Sequence, residues 1–285
     1  MFTTLITCTE LQALQQSAAP LLIVDCTADL MNPAAGLRQF LDAHIPGATH
    51  ADLDHDLSAH GVADAASGGR HPLPRREVFA HWLRQIGLRT DTQVVVYDRN
   101  GLNFCGRLWW MLKWAGHEAV AVLDGGLAAW MASGGAVESG PATPRAPSDW
   151  TLQPPLRELV TAADVLAHLD QPDQTLIDAR AAPRYRGEVE PLDPVAGHIP
   201  GALNRPFGLN LDEQGRFKPA DTLRAEFEAL LAGRDPASVV HQCGSGVSAL
   251  PNLLAMEVAG FAPTRLFAGS WSEWCRDPSR PVAKG

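Results

Sequence analysis

The sequence lacks the features that mark membrane, secreted and disulfide-stabilised proteins. No apolar run approaches the ~18 residues that a membrane-spanning helix needs. The first residues, MFTTLITCTELQALQQS, have neither a basic stretch nor the long apolar core of a signal peptide. The 5 cysteines are an odd number, are widely scattered and include no CxxC pair. We therefore expect free thiols in a reducing compartment, the cytoplasm, and neither a disulfide framework nor a zinc knuckle.

Positive charge is also scarce. The chain has 23 Lys and Arg against 32 Asp and Glu, which gives a formal net charge of -9 with histidine neutral. This balance argues against a broad nucleic-acid-binding surface, so neither nucleic acid nor a membrane is an expected partner. With 46% hydrophobic and 19% charged residues among 285, the chain has an ordinary globular composition and enough length for two domains.

Four sequence blocks occur twice, in the same order, and indicate a diverged tandem repeat. They are an apolar run ending in aspartate, a His-Ile-Pro-Gly-Ala segment, a valine-rich run and a Gly-containing segment leading to tryptophan, found at Asp25 and Asp178, 44–48 and 198–202, 94–98 and 239–243, and 125–130 and 269–274. Between the halves, residues 139–155 are rich in proline and polar residues, which is typical of an extended linker. We predict domains over residues 1–140 and 156–285, joined by a linker over residues 141–155.

Within each half, short Val/Ile/Leu runs alternate with segments of helical spacing. The runs are bounded by Gly, Pro or Asp and are typical of buried parallel strands. The apolar residues of one predicted helix share a face: Leu223, Phe227, Leu230 and Leu231. Another helix is predicted over the Trp-rich segment 107–115. Strands that alternate with helices predict an α/β fold, here as two tandem domains, each with a mainly parallel sheet flanked by helices.

The strongest chemical signal is Cys243, which follows the apolar run SVVHQ and precedes a Gly-rich turn and a helical segment. Backbone N–H groups converge at such a junction, where they and the helix N-terminus stabilise a negatively charged sulfur. Because the thiolate is the reactive form of cysteine, this setting indicates a nucleophile. Gly244 and Gly246 let the turn curl without Cβ clashes. Open α/β sheets also place their active sites at the carboxyl ends of strands.

Three segments resemble the tandem rhodanese-type sulfurtransferases, and the resemblance extends over nearly the whole chain. Residues 40–48 (FLDAHIPGA) are similar to the family's N-terminal signature, and residues 267–274 (FAGSWSEW) to its C-terminal signature. The turn 243–248 (CGSGVS) resembles the active loop of the 3-mercaptopyruvate branch; the thiosulfate branch often has Arg and Lys after the cysteine. The resemblance implies two rhodanese-like domains, of which only the second is catalytic.

The resemblance also implies roles for individual residues. Cys243 would carry the transferred sulfur, and Ser245 and Asp54 would form a proton relay with it. Arg186 is similar to the arginine that binds the substrate carboxylate, a role that suits the bidentate guanidinium group. His71 would help to bind substrate. The remaining substrate-binding positions would be those of the active loop: Gly244, Gly246, Val247 and Ser248.

The residues alone leave alternatives for these roles, and two positions depart from the family pattern. Arg186 also suits a salt bridge with a nearby glutamate, and Asp54 and His71 also suit solvated loops. Leu192 stands near the place of a second substrate arginine, for which Arg184 or Arg205 is a candidate replacement. In the first half, Asp98 stands where the cysteine would be, and a carboxylate cannot carry transferable sulfur.

The sequence thus predicts a sulfurtransferase that moves sulfur from a small anionic donor, 3-mercaptopyruvate or thiosulfate, through a Cys243 persulfide to a thiol, thioredoxin or cyanide. No metal or organic cofactor is expected, since the scattered histidines lack the spacing of a metal site. The main alternative is a sulfur-relay or regulatory persulfide carrier without turnover. A cysteine phosphatase would need an arginine about six positions after the cysteine, where this chain has Ala249.

Overall fold

The computed structural model describes residues 1–285. The strands are β1 (Leu5–Ile6), β2 (Leu21–Asp25), β3 (Thr49–His50), β4 (Gln93–Tyr97), β5 (Val120–Leu123), β6 (Thr175–Asp178), β7 (Leu203–Asn204), β8 (Val239–Gln242) and β9 (Arg265–Leu266). The helices are α1 (Cys8–Gln16), α2 (Ala34–Asp42), α3 (Arg76–Gln85), α4 (Cys105–Trp114), α5 (Gly126–Ala132), α6 (Ala162–Ala167), α7 (Ala182–Tyr185), α8 (Ala220–Leu231), α9 (Leu250–Val258) and α10 (Ser270–Trp274). None of these helices combines the length and apolar character required to cross a membrane.

The chain divides into two compact units that follow the two repeats. Unit 1 comprises Met1–Ala59, Pro74–Leu156 and Glu213–Arg216, and unit 2 comprises His60–Leu73, Arg157–Asp212 and Phe217–Gly285. The boundaries predicted from the sequence place residues 60–73 in the first domain, whereas the structure groups them with unit 2.

Hydrogen bonds to α10 explain why residues 60–73 belong to unit 2. The N–H of Gly68 donates to the carboxylate of Glu273 (3.1 Å), and the N–H of Arg70 donates to Ser272 Oγ (3.0 Å). Composition and spacing carry no trace of these contacts, because their partners are about 200 residues apart in sequence.

Unit 1 contains a sheet of five parallel strands in the order β1-β5-β4-β2-β3. The central strand β4 pairs with β2 from Gln93 opposite Leu21 to Tyr97 opposite Asp25. Its valines at positions 94–96 are fully buried. A parallel strand covered on both faces of its sheet needs apolar residues at successive positions, which is why β4 shows no polar alternation.

Unit 2 contains a sheet of four parallel strands in the order β7-β6-β8-β9. An isolated parallel bridge between Leu159 and Leu266 extends this sheet at the place that β1 has in unit 1. Strand β8 lies between β6 and β9, and its register runs from Val239 opposite Thr175 to Gln242 opposite Asp178. The predicted fold class is confirmed: each half is an α/β unit with a parallel sheet flanked by helices.

The two helices expected from the sequence are present. Helix α8 buries Leu223, Phe227 and Leu231, as the spacing predicts, while Leu230 at the edge of that face is half-buried. In the Trp-rich segment, every residue of α4 is buried. Helix α4 therefore runs through the interior of unit 1, which explains why its sequence is apolar on nearly all sides.

Candidate active site

Cys243 is the first residue after β8, at the carboxyl end of a strand that has neighbours on both sides. Residues 243–248, called the Cys243 loop below, lead towards α9, which begins at Leu250. Cys243 is 1% exposed, and every residue of the loop except Ser248 is buried. The arrangement is the strand–turn–helix junction that the sequence predicts, and its thiol is buried.

Several backbone N–H groups of the Cys243 loop have no hydrogen-bond acceptor within the chain. They are the N–H groups of Gly244, Ser245, Val247 and Ser248. Successive N–H groups in a tight turn form a cradle for an anion, because each presents a partial positive charge to the same small volume. They are the groups best suited to stabilise negative charge on Cys243 Sγ or on a second sulfur attached to it.

The equivalent loop of unit 1 holds an acidic side chain in such a cradle. Asp98 follows β4 as Cys243 follows β8, and its carboxyl group accepts four backbone N–H bonds of 2.8–3.0 Å, from Asn100, Leu102, Phe104 and Cys105. Burial raises the pKa of this carboxyl above its usual range, while the backbone bonds act in the opposite direction. In unit 1, the N–H groups of the loop are therefore occupied by the carboxyl group of Asp98, which cannot accept sulfur.

Ser270 is a site residue that the sequence analysis did not identify. Its Oγ accepts the N–H of Cys243 (3.1 Å), donates to the carbonyl of Phe267 (3.0 Å) and lies 3.9 Å from Cys243 Sγ. Ser270 is fully buried and has a φ of 54°, in the left-handed region that most side chains avoid. It lies inside the signature FAGSWSEW, but a linear motif does not tell which of its residues faces the cysteine.

Ser245 and His71 form a direct contact within unit 2. Ser245 Oγ lies 2.7 Å from His71 Nδ1, and the two residues are 4% and 8% exposed. An imidazole that is hydrogen-bonded to a hydroxyl can pass a proton to it or take one from it. The family resemblance implies different roles for these residues, proton relay for Ser245 and substrate binding for His71, and the structure brings them together.

Two guanidinium groups lie beside Gly244, the residue that follows the cysteine. A Cβ placed on Gly244 would lie 3.0 Å from Arg70 Nη2 and 3.5 Å from Arg184 Nη1. The Arg184 side chain is 19% exposed and that of Arg70 is 22% exposed, so both reach solvent. The Cys243 loop therefore has cationic neighbours, although it contains no charged residue itself.

Buried carboxylates bind Arg184 and a third arginine, Arg180. Glu190, 3% exposed at its side chain, binds Arg184 Nη2 (2.6 Å) and lies 3.5 Å from Arg180 Nη1. Arg180 also binds Asp178 (2.7 Å), and its guanidinium lies over the ring of Trp271. Burial lowers the pKa of Arg180, but the charges of Asp178 and Glu190 outweigh it and raise that pKa, with a further contribution from Cys243.

The structure places Arg186 and Leu192 at the protein surface. The Arg186 guanidinium binds Glu188 (2.6 Å), and the side chain is 42% exposed. Leu192 is 39% exposed, and its N–H donates to Glu190 (3.1 Å). Of the arginines that the sequence suggests for substrate binding, Arg184 is thus the one beside the Cys243 loop. It precedes Arg186 by two residues. The role predicted for Arg186 rests on the resemblance alone.

Arg205 and Asp54 are the two remaining candidates. Arg205 is 5% exposed, and its guanidinium donates to the carboxylate of Glu226 (2.6 Å) and to Asn210 Oδ1 (2.9 Å), as expected of a structural arginine. Asp54 belongs to unit 1, where its N–H donates to the carboxylate of Asp52 (2.8 Å). Its place in a relay with Ser245 stays a prediction.

No group of three or more His, Cys, Asp or Glu side chains is arranged to hold a metal ion.

Comparisons with known proteins assign the chain to a family. A family model for the rhodanese-like domain matches residues 7–133 and 161–277. A Pseudomonas aeruginosa protein named "Probable 3-mercaptopyruvate sulfurtransferase" is 50% identical over 277 residues, 96% of this chain and 95% of that protein. The thiosulfate/3-mercaptopyruvate sulfurtransferase 2 of Arabidopsis thaliana is 34% identical over 268 residues, 86% of this chain and 76% of its own length. The crystal structure of SseA from Escherichia coli, a 3-mercaptopyruvate sulfotransferase, matches with a TM-score of 0.77 at 32% identity, covering 95% of this chain and 100% of SseA.

Both units are therefore rhodanese-like domains, and Cys243 follows strand β8 of the second. The chain belongs to the tandem-domain rhodanese family, in the group of 3-mercaptopyruvate and thiosulfate sulfurtransferases. It is a sulfurtransferase enzyme.

Proposed function

We propose that the enzyme takes sulfur preferentially from 3-mercaptopyruvate. The Cys243 thiolate attacks the thiol sulfur of the donor, a sulfur–sulfur bond forms, and the carbon–sulfur bond breaks. The electron pair of that bond passes to the three-carbon fragment as an enolate, which takes up the thiol proton to become pyruvate and leaves Cys243 as a persulfide anion. The observation that carries this proposal is a buried cysteine surrounded by unpaired N–H groups and flanked by Arg184.

The N–H groups of the Cys243 loop would hold the outer sulfur of the persulfide, as an oxyanion hole holds oxygen. These donors are available for this role because they have no acceptor within the chain. Ser270 would fix the start of the loop through its bond to the N–H of Cys243.

The hydrogen-bonded pair of Ser245 and His71 supports a role in moving the thiol proton to the enolate carbon. The hydroxyl of Ser245 is adjacent in sequence to Gly244, and the imidazole of His71 can hold a proton in either direction. Asp54 completes this relay in the proposal, on the strength of the family resemblance.

The second half of the reaction returns Cys243 to the thiolate. A nucleophile attacks the outer sulfur, and the electron pair of the sulfur–sulfur bond goes back to Cys243 Sγ. A small thiol, thioredoxin or cyanide has the required chemistry. We place this reaction in the cytoplasm, because all 5 cysteines are free thiols and a reducing compartment keeps them so.

Parallel kinetics with two donors test the proposal. We expect kcat/KM for 3-mercaptopyruvate to exceed that for thiosulfate by at least about tenfold. Glu190 and Asp193 already neutralise much of the arginine charge, so the site suits one carboxylate better than a dianion. Assays contain excess dithiothreitol or cyanide as acceptor. A higher kcat/KM for thiosulfate contradicts the donor assignment, and a single turnover without steady state favours a sulfur-relay protein.

Replacement of Arg184 by alanine is expected to lower kcat/KM for 3-mercaptopyruvate by about 10- to 150-fold, the worth of one charge-assisted hydrogen bond. Arg186→Ala is expected to change it less than about threefold, because that side chain is exposed and already paired with Glu188. Arg276→Ala, an exposed arginine, serves as the control for loss of positive charge. An equal or larger loss in Arg186→Ala would return the carboxylate-binding role to Arg186.

A further inference from the structure

Arg70 occupies a position that the sequence does not connect with the active site. It precedes His71 in the stretch 60–73, far from Cys243 in the chain, yet its Nη2 comes to 3.0 Å from a Cβ placed on Gly244. Its nearest cationic neighbour at that point is Arg184. Two guanidinium groups from separate segments thus meet at the residue after the nucleophile.

The backbone at Arg70 is fixed on α10. The N–H of Arg70 donates to Ser272 Oγ (3.0 Å), and that of Gly68 donates to Glu273 (3.1 Å). Gly69, between them, has a φ of 88°, and a Cβ there would lie 2.5 Å from the carbonyl oxygen of Gly269. Such close packing against the start of α10 fixes the backbone from which the Arg70 side chain extends.

Asp193 couples the two arginines. Its side chain is 1% exposed, its Oδ1 accepts a hydrogen bond from Arg70 Nη1, and its Oδ2 lies 3.4 Å from Arg184 Nη2. A buried carboxylate that binds two guanidinium groups orients both, because each has a planar fork of donors. Asp193 follows Leu192, where the family resemblance leads one to look for a second substrate arginine.

The N–H groups of Arg70 and Arg184 that have no acceptor are those beside Gly244, the residue that follows the nucleophile. Arg184 uses Nε and Nη2 for Glu190 and Asp193, and Arg70 uses Nη1 for Asp193. Arg184 Nη1 and Arg70 Nη2, the atoms beside Gly244, have no acceptor within the chain. Their N–H groups are available to one anionic group of a ligand at Cys243.

We propose that Arg70 is a specificity-determining residue of the donor site. Together with Arg184 it binds the carboxylate of a thiol-bearing 2-oxo acid, and it supplies the second guanidinium that is missing at Leu192. This inference rests on the proposed function, and it adds that the clamp is built from two distant segments. Asp193 is the positioning residue that holds the clamp together.

The test compares 3-mercaptopyruvate with mercaptoacetone, which keeps the thiol and ketone but has a methyl group in place of the carboxylate. In Arg70→Ala we expect kcat/KM for 3-mercaptopyruvate to fall 10- to 100-fold, mainly through KM. For mercaptoacetone we expect a change below about threefold, since no carboxylate is present to lose its partner. Arg70→Lys should recover only part of the loss, because lysine keeps the charge without the planar fork. Arg276→Ala should leave both donors unchanged.

A second measurement does not depend on sulfur transfer. Calorimetric titration with pyruvate, the expected product, should give a Kd that is at least about tenfold weaker in Arg70→Ala than in the wild-type enzyme. If the wild-type enzyme takes no sulfur from 3-mercaptopyruvate but binds pyruvate through Arg70, the proposed function fails and the anion site stands. Equal losses with both donors, or pyruvate binding that is absent or indifferent to Arg70, would overturn the inference.

Discussion

Replacement of Cys243 by serine is expected to abolish sulfur transfer, with a loss of at least about a thousandfold in kcat/KM. A serine hydroxyl is nearly isosteric with the thiol, so the fold should persist. It cannot, however, form the persulfide on which both half-reactions depend. Incubation of the wild-type enzyme with 3-mercaptopyruvate should add one sulfur, about 32 Da, to the peptide that contains Cys243.

Intact-mass and peptide mass spectrometry measure the loading, and Cys8→Ser is the matched control. Cys8 is a buried free thiol at the start of α1 in unit 1, so its serine variant should retain activity and sulfur loading. Cys105 provides the critical comparison, since it lies next to the Asp98 cradle and burial raises its pKa well above the usual range. Comparable loading of Cys105 would show that Cys243 is not the sole sulfur carrier.

Replacement of Gly246 by alanine is expected to disable the Cys243 loop. Gly246 has a φ of 73°, and a Cβ at this position would lie 2.2 Å from the carbonyl oxygen of Ala268. A backbone oxygen cannot move away cheaply, so the loop itself must shift and its N–H cradle must open. We expect kcat/KM to fall at least about 100-fold, the usual consequence of misplacing reactive groups by about 1 Å.

Gly233→Ala is a control that distinguishes the steric clash from the energetic cost of placing alanine in a left-handed backbone conformation. Gly233 also has a positive φ, 85°, but a Cβ there would meet nothing within 4 Å. The control should lose only about 1–2 kcal/mol of unfolding free energy, with kcat unchanged. Circular dichroism and thermal unfolding establish that both variants are folded. Full activity in Gly246→Ala would mean that the loop does not act as a rigid anion cradle.

The loop after β4 in unit 1 differs from the Cys243 loop in a way that supports the prediction of a single catalytic unit. Both repeats end a sheet strand in a loop that gathers backbone N–H donors, but unit 1 supplies its own acceptor in Asp98. Unit 2 has the short loop CGSGVS with a cysteine at the same place. The cradle of unit 1 is thus occupied by its own carboxyl group, whereas the equivalent position of unit 2 holds a thiol.

The local order of the residues determined much of this protein. Continuous apolar runs predicted the buried parallel strands, because both faces of such a sheet are covered by helices. The repeated blocks predicted two similar α/β units, and the junction at Cys243 predicted the nucleophile. Leu223, Phe227 and Leu231 predicted the buried face of α8 because helical spacing is itself a local property.

Only the tertiary structure decided which distant side chains meet at the cysteine. Sequence similarity favoured Arg186, whereas the arginines beside Gly244 are Arg184 and Arg70. A shift of two residues along a helical backbone turns a side chain by about 200°, so similarity to a linear motif does not fix the direction of a side chain. The contacts of Arg70 and Ser270 join segments that no periodicity connects. Arg70 is placed by the packing of the loop 60–73 on α10, and Ser270 by the packing of α10 against Cys243. Such long-range packing depends on the whole chain rather than on any local pattern.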